Sequence, residues 1–389
     1  MRIVSLAHAY PRWDGDVAGA FIERLVLALQ RRSHCVSMII PADSGAGGSV
    51  VRHGVTVRRI RYGPASMEVL AYRGQMTQAL HSAGGIACFT ALLAGQAGAA
   101  IQAFRDQPTD LIHAHWWVPG GLAGWLAHLV VHRPYVVTLH GTDVSLLERS
   151  RAARGLARTV LRKARAVTAV SPFLARRAAA LLDMDPALFV VQPMPLDIDR
   201  YSHLSKGGDG IVTVGRLVTQ KRIGVLLEAV ARLRSTGTEL RLKIVGEGPE
   251  RRSLEYYAGR LRIGDITQFT GEVTPEEIPD AIGNADVFAF PAAGEGLGLA
   301  AAEALMLGVP VVASRSGGGV VDFVPPEGAG RLVSGDSAGE LAVAIGALVN
   351  DPQSRHCAAQ LGNELRPGFE PDRVAAVFED VYARALGAA

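Results

Sequence analysis

A chain of 389 residues exceeds what a single hydrophobic core supports, so two domains are expected. With 49% hydrophobic and 20% charged residues it is globular rather than disordered, and three scattered cysteines (Cys35, Cys88, Cys357) exclude a disulfide framework and suit a reducing interior. The net charge of +3 hides an asymmetry: residues 1–197 carry 21 Lys and Arg against 12 Asp and Glu, whereas residues 198–389 carry 19 against 25.

Residues 2–7 form a short apolar run of the kind found in buried parallel strands. The chain turns polar within ten residues, so no leader segment is expected. A loop containing Gly15 and Gly19 leads into a helix over residues 21–31. Further strands are predicted at 36–41, 55–60, 110–115, 135–140 and 166–171, with helical segments between them. Residues 76–104 are uncharged apart from His81 and long enough to span a bilayer. Their Ala and Gly content predicts instead a buried or acceptor-facing helix. Residues 149–177 contain nine basic residues and no acidic one. Arg151, Arg154, Arg158, Arg162 and Arg165 recur at three- and four-residue steps, which predicts one helix face. That face is either merely solvated or a surface for anionic lipid heads or a phosphorylated acceptor. No aromatic interleaving accompanies it, so nucleic acid is not expected.

A polar, glycine-rich stretch at 201–210 reads as a linker, after which the pattern restarts. Strands are predicted at 211–215, 240–245, 266–270, 287–290 and 309–313, with helices at 223–234 and 298–307. The expected fold is α/β, with two tandem Rossmann-like, doubly wound domains. Ligands bind such sheets at the carboxyl ends of the strands, so facing domains would place the site in a cleft. After Pro371, Val374, Val377, Phe378, Val381 and Tyr382 mark a closing helix. The expected boundaries are 1–197, 198–370 and 371–389.

The residues suited to chemistry cluster in the second half. Arg216 and Lys221 follow a predicted strand, and two fixed cations there would stabilise a leaving diphosphate. Arg suits bidentate phosphate contact, whereas Lys acts as a point charge. Glu295 and Glu303 straddle a glycine-rich strand-to-helix junction. Glu303, inside the helix, can accept two hydrogen bonds from a ribose diol, and the helix start at Gly298 and Leu299 offers free N–H groups to phosphate. Gly246 belongs to a further glycine turn between these motifs. Cations, carboxylates and glycine turns in this order suit a phosphorylated, hydroxyl-rich ligand such as a nucleotide sugar. In the first half, Gly15 and Gly19 would let backbone approach a phosphate. His113, His115 and His140 are predicted at strand ends, with His140 facing the cleft. The His113–His115 spacing lacks a carboxylate or cysteine partner, so no metal site is expected.

These motifs resemble the retaining glycosyltransferases of family 4, with two Rossmann domains of the GT-B type. The resemblance covers nearly the whole chain. It rests on Gly215-Arg216-Leu217 with Lys221, Val245-Gly246-Glu247-Gly248, Phe269-Thr270-Gly271-Glu272-Val273, Glu295 to Glu303, His113-Ala114-His115-Trp116-Trp117 and Thr138-Leu139-His140-Gly141-Thr142-Asp143. The resemblance implies a diphosphate clamp at Arg216 and Lys221, a ribose ligand at Glu303 and a sugar-hydroxyl ligand at Glu295. It implies donor contacts from the Gly298–Leu299 backbone, with Val273 reading the base; Gly15, Gly19 and Gly246 are expected to contact the donor as well. His140 resembles the active-site histidine near the sugar, and His115, Trp116 and Arg154 are expected on the acceptor side. No metal or cofactor is implied. Asp197-Ile198-Asp199 matches the acidic metal motif of other glycosyltransferases but reads as loop here. The donor is expected to be UDP- or GDP-linked, transferred with retention by a front-face route to a hydroxyl acceptor, lipid, saccharide or natural product. The closing helix is expected to return to the first domain. A cytoplasmic enzyme, with peripheral contact at the inner membrane face, is expected. A sugar-nucleotide epimerase or a non-catalytic nucleotide-sugar-binding protein are the alternatives. The chain departs from the family in carrying Arg222 where glycine follows the lysine, and Pro291-Ala292-Ala293-Gly294 where Pro-Ser precedes the first glutamate.

Overall fold

Short runs of Val, Ile and Leu alternate with amphipathic helices, and the computed structural model assembles them into two sheets. Residues 1–72, 76–202 and 207–387 are described. One unit comprises Met1–Leu196 and Pro371–Ala389, the other Asp197–Glu370. Of the linker expected at 201–210, residues 203–206 lie outside the described residues.

The first unit contains β1 (Arg2–Leu6), β2 (Cys35–Pro41), β3 (Gly48–Arg52), β4 (Val55–Ile60), β5 (Leu111–His115), β6 (Tyr135–Leu139), β7 (Ala166–Ala169) and β8 (Phe189–Val191). Their order is β3-β4-β2-β1-β5-β6-β7-β8. Every pairing is parallel except β3 with β4. Helices α1 (Ala20–Arg31), α2 (Met76–Ala79), α3 (Ala83–Asp106), α4 (Leu122–Val131), α5 (Thr142–Arg149), α6 (Arg151–Lys163) and α7 (Pro172–Leu182) connect them. The order reverses between β1 and β5, which opens a crevice at their carboxyl ends.

The second unit contains β9 (Ile211–Val214), β10 (Leu242–Val245), β11 (Thr267–Gly271), β12 (Val287–Phe290), β13 (Val311–Ser314) and β14 (Gly330–Val333), in the order β11-β10-β9-β12-β13-β14. All of these pairings are parallel. Helices α8 (Ile223–Ser235), α9 (Arg251–Arg260), α10 (Ile278–Ile282), α11 (Leu299–Met306), α12 (Ala338–Val349) and α13 (Ser354–Phe369) accompany it. Here the reversal falls between β9 and β12.

The closing helix, α14 (Pro371–Leu386), belongs to the first unit and buries Val374, Phe378, Val381 and Tyr382 there. Tyr382 Oη lies 2.8 Å from His113 Nδ1. Arg31 pairs with Asp372 at 3.0 Å, and His34 with Glu379 at 2.6 Å. The uncharged stretch becomes α3, which is long and apolar enough to cross a membrane by length and composition. In this fold it packs on α4 and the sheet, and buried Gln96 donates from Nε2 to Ala7 O at 2.9 Å.

Three readings of the sequence are corrected. Strand β3 went unread because Val50 and Val51 are exposed at the sheet edge, so no burial pattern marks them. The basic stretch is not one helix: Ser150 separates α5 from α6, its Oγ accepting from Ala153 N at 3.2 Å, and Arg165 falls beyond α6. Tyr201, assigned to the linker, is buried in the second unit.

Two glycines test the backbone reading. Gly19, at φ +74°, precedes α1, and a Cβ there would lie 2.5 Å from Ala9 O. Gly19→Ala is expected to destabilise by about 2 kcal/mol or more, from left-handed strain plus overpacking. Gly155, inside α6 with open space around it, should instead gain roughly 0.5–1 kcal/mol on change to Ala. Thermal unfolding of the two variants checks the pair: a lower midpoint for the first and a higher one for the second.

Candidate functional site

In the second unit the reversal of strand order brings the end of β9 beside the end of β12. Chain leaving β9 passes Gly215 and Arg216 and reaches Lys221, while chain leaving β12 runs through Ala293 to Glu295. The two turns are tied together. Gln220 Nε2 donates to Ala293 O at 2.9 Å, and Ala293 N returns a bond to Gln220 O at 2.9 Å. Lys221 Nζ lies 3.0 Å from Glu295 Oε1 and 5.4 Å from the centre of the Phe290 ring. The ammonium also lies against Gly215, where a Cβ would stand 3.3 Å from Nζ. Arg216 is exposed at the same strand end.

A third turn closes round Glu295. Its N–H donates to Gly317 O at 3.1 Å, and its carbonyl accepts from Gly319 N at 2.9 Å. Arg222 reaches this turn through Ser316 Oγ at 3.0 Å and pairs with Asp336 at 3.1 Å. Arg222 adopts φ +50°, a left-handed conformation that ordinarily favours glycine. These polar contacts offset that strain and link the β9 turn to the turn after β13.

Glu303 lies on α11, whose first residue Leu299 follows Gly298 at φ +87°. Its side chain is buried, and Tyr201 Oη donates to Oε1 at 2.6 Å. Arg366 in turn holds Tyr201: its guanidinium donates to the carbonyls of Tyr201 and Ile198, and to Met306 O at 2.8 Å. Burial pulls the Arg366 guanidinium below its ordinary range. Gly246, at φ +134°, stacks on the β9 turn, where a Cβ would lie 2.1 Å from Gly215 O. Val273 is half-buried in the turn after β11. The second unit therefore gathers Gly215, Lys221, Glu295 and their turns at one edge. Sequence reasoning missed Gln220 and Phe290, which lie at the Lys221 turn, and Tyr201 and Arg366, which hold Glu303, because none carries a motif of its own.

In the first unit, β5 and β6 end side by side. His115 Nδ1 and His140 Nε2 are 3.1 Å apart, and the His140 ring packs 4.4 Å from Trp116 and 5.2 Å from Phe21. Trp116, at φ +62°, folds its ring inward against His8, centre to centre 3.9 Å. Buried Asp143 ties the two strand ends together: it accepts from Gly141 N at 2.9 Å and Trp117 N at 3.2 Å, while Trp117 Nε1 donates to its carbonyl at 2.8 Å. Burial pushes the Asp143 carboxyl up, against these N–H donors. Gly15, at φ +85°, lies in the loop before α1, between Asp14 and Asp16, which are spent on Arg52 and Arg12.

The acceptor-side expectations change here. His115 and Trp116 are buried rather than presented to solvent. Arg154 donates from Nε to Leu147 O at 2.6 Å and from Nη2 to Glu148 O at 3.2 Å, satisfying carbonyls at the end of α5. Arg158 does the same for α7 through Leu182 O at 2.6 Å. His113 is a core residue within β5, bonded to Thr138 Oγ1 at 2.7 Å as well as to Tyr382. Asp197 pairs with Arg200, and Ile198–Tyr201 form a short 3-10 turn.

Two Rossmann-type, parallel-dominated sheets make this a two-domain protein of the GT-B fold. The "Glycosyl transferases group 1" profile matches residues 197–364, and the "Glycosyl transferase 4-like domain" profile matches residues 18–195. A D-inositol 3-phosphate glycosyltransferase of Rhodococcus erythropolis is 31% identical over 371 residues, covering 87% of this chain and 80% of that protein. Sucrose-phosphate synthase from Thermosynechococcus elongatus superposes with a TM-score of 0.81 at 21% identity, over the full length of both chains. Anabaena HepE in complex with UDP-glucose superposes at 0.72 with 20% identity, over 98% of this chain and 100% of that one. The chain belongs to the group 1 glycosyltransferases of family 4, hexosyltransferases that use a nucleotide-sugar donor.

Burial around β5 and β6 sets a pH response. It lowers His8 to about 4 and His113 to about 3, and it holds His115 and His140 well below 6.5. In the unfolded chain these rings take up protons as pH falls through about 6.5, while the folded protein excludes them. The unfolded state then binds more protons, so stability present above pH 6.5 is lost as pH falls below it. Each ring contributes roughly 1 kcal/mol between pH 7 and 5.5, on the order of 4 kcal/mol for the four. Urea unfolding at the two pH values measures this; a flat stability would contradict the buried neutral histidines.

Proposed function

We propose that this enzyme transfers a hexose from a UDP- or GDP-linked donor to a hydroxyl acceptor with retention of anomeric configuration, without a metal ion. The reading is carried by the Lys221–Glu295 pair set between the ends of β9 and β12, with buried Glu303 one helix further on. Lys221 and Arg216 supply positive charge where the diphosphate departs, the charge that a divalent cation supplies in other designs. Glu295, already paired with Lys221, takes a sugar hydroxyl, and Glu303 takes the ribose diol. The acceptor oxygen bonds to the anomeric carbon on the face from which the diphosphate leaves. The carbon–oxygen bond to phosphate breaks with its electron pair on the diphosphate, which receives the acceptor's proton. Gly246, Val273, Gly298 and Leu299 are read as donor contacts of the second unit, and His140, Gly15 and Gly19 as functional positions of the first.

The acceptor is read as an anionic, hydroxyl-rich molecule. The support is the positive first half and the inositol phosphate named for the Rhodococcus relative. With Arg154 and Arg158 engaged on helix ends, the exposed cations Arg151, Lys163 and Arg165 remain to meet an anionic membrane surface in the cytoplasm.

Incubation with UDP-glucose or GDP-mannose and a panel of phosphorylated polyols, in EDTA, tests this reading. One nucleoside diphosphate should be released in step with an α-linked product seen by NMR. An epimerised free sugar released without acceptor would favour the epimerase alternative, and a β-linked product would overturn retention. Pelleting with anionic but not neutral vesicles is expected, and equal recovery with both would sink the membrane contact.

A further inference from the structure

The acceptor-side role expected for His115 does not fit a fully buried ring, and its contacts point to a different one. We propose that His115 is a positioning residue that fixes His140 as the tautomer carrying its proton on Nδ1. The proposal rests on the reading of His140 as an active-site group. Its geometric core is the 3.1 Å contact between His115 Nδ1 and His140 Nε2.

Neither ring is placed to carry a charge. The surroundings are Trp116, Phe21 and two further imidazoles, with His113 packed 4.3 Å from the His115 ring. Asp143 is the nearby acid, but it is committed to backbone N–H groups. Among the described residues, no group of three His, Cys, Asp or Glu has the geometry to hold a metal. Two neutral imidazoles sharing a hydrogen bond must divide it, one supplying an N–H and the other a lone pair.

The far nitrogen of His115 decides which ring donates. Nε2 of His115 is buried and has no hydrogen-bond partner among the described residues. If it carried the proton, the core would hold an orphaned N–H, which folded proteins avoid more strictly than an under-used acceptor. The proton of His115 therefore resides on Nδ1 and is donated to His140 Nε2. His140 Nε2 accepts, so its own proton lies on Nδ1. Half-buried His140 then offers an N–H donor, not a base, to a bound molecule.

The remaining contacts hold this arrangement in place. His113 is clamped between Thr138 and Tyr382, at 2.7 and 2.8 Å, and forms one wall of the His115 site. Asp143 Oδ1 accepts from the backbone N–H of His140 at 3.2 Å and fixes the turn that carries it. The relation is that of a ligating or catalytic histidine and its orienting partner, with an imidazole in place of the usual carboxylate or carbonyl.

The test is long-range 1H–15N correlation on protein labelled at histidine nitrogens, at pH 7.5, with His140 assigned through a His140→Gln variant. Wild type should show His140 protonated on Nδ1. His115→Phe keeps the ring volume but removes the donor, and His140 should then divide between tautomers. His115→Asn keeps an N–H near the Nδ1 position and should retain the wild-type tautomer. Turnover should fall tenfold or more in His115→Phe with donor KM unchanged, and recover to within about threefold in His115→Asn. His140 protonated on Nε2 in wild type, or a tautomer indifferent to His115→Phe, would overturn the proposal. A shifted tautomer with undiminished turnover would uphold the pairing and overturn the active-site role of His140. If His115→Phe does not fold, the wild-type tautomer and His115→Asn still decide the matter.

Discussion

Backbone meets backbone at the ends of β9, β10 and β12 with no side chain between, and the rest of the site depends on that contact. Gly246 stacks on the carbonyl of Gly215, Gly248 on that of Leu217, and Gly318 on that of Glu295, with a built Cβ within 2.0–2.3 Å in each case. Only glycine tolerates such approaches, and Gly246 and Gly318 also need positive φ. The result is a rigid edge on which Lys221 and Glu295 stand at fixed separation. A preorganised charge of this kind stabilises a developing anion without reorganising when the anion forms. Arg222 is the exception that shows the rule. It occupies a left-handed position that ordinarily favours glycine, and polar contacts to Ser316 and Asp336 offset the strain.

The two units use burial in opposite ways. In the second, charged groups are kept at the carboxyl ends of the strands and paired, as Lys221 is with Glu295 at 3.0 Å. In the first, polar residues are taken into the sheet face and kept neutral. His113, Thr138 and Thr168 form a hydrogen-bonded row, capped by Tyr382 from the last helix of the chain. The closing helix thus does more than cover apolar surface: it satisfies a buried imidazole on the face that leads to His140.

Much of this was legible in the sequence because the motifs are local. Arg216, Lys221 and Glu295 each follow a strand end within seven residues and Glu303 lies in the next helix, and short Val- and Ile-rich runs marked most of the strands. What the sequence did not disclose is long-range. Tyr201 reads as linker because its neighbours are polar, yet it lies beneath Glu303, 102 residues away in the chain. Arg154 reads as a free cation because charge alone is visible; its hydrogen bonds to α5 carbonyls depend on how α5 and α6 pack. His113 and His115 read as a strand-end pair, and only the packing of β6 and α14 reveals them as buried. Strand β3 was invisible because its valines face solvent.

Donor chemistry at this site requires that the strand ends of the second unit hold a nucleoside diphosphate. Isothermal titration of UDP and GDP in EDTA, into wild type and Lys221→Ala, measures this without an acceptor. One of the two nucleotides should bind wild type, and the variant should bind it roughly ten- to a hundredfold more weakly, as loss of a hydrogen bond to a charged group implies. Equal binding by the variant, or binding of neither nucleotide, would contradict the placement of the donor.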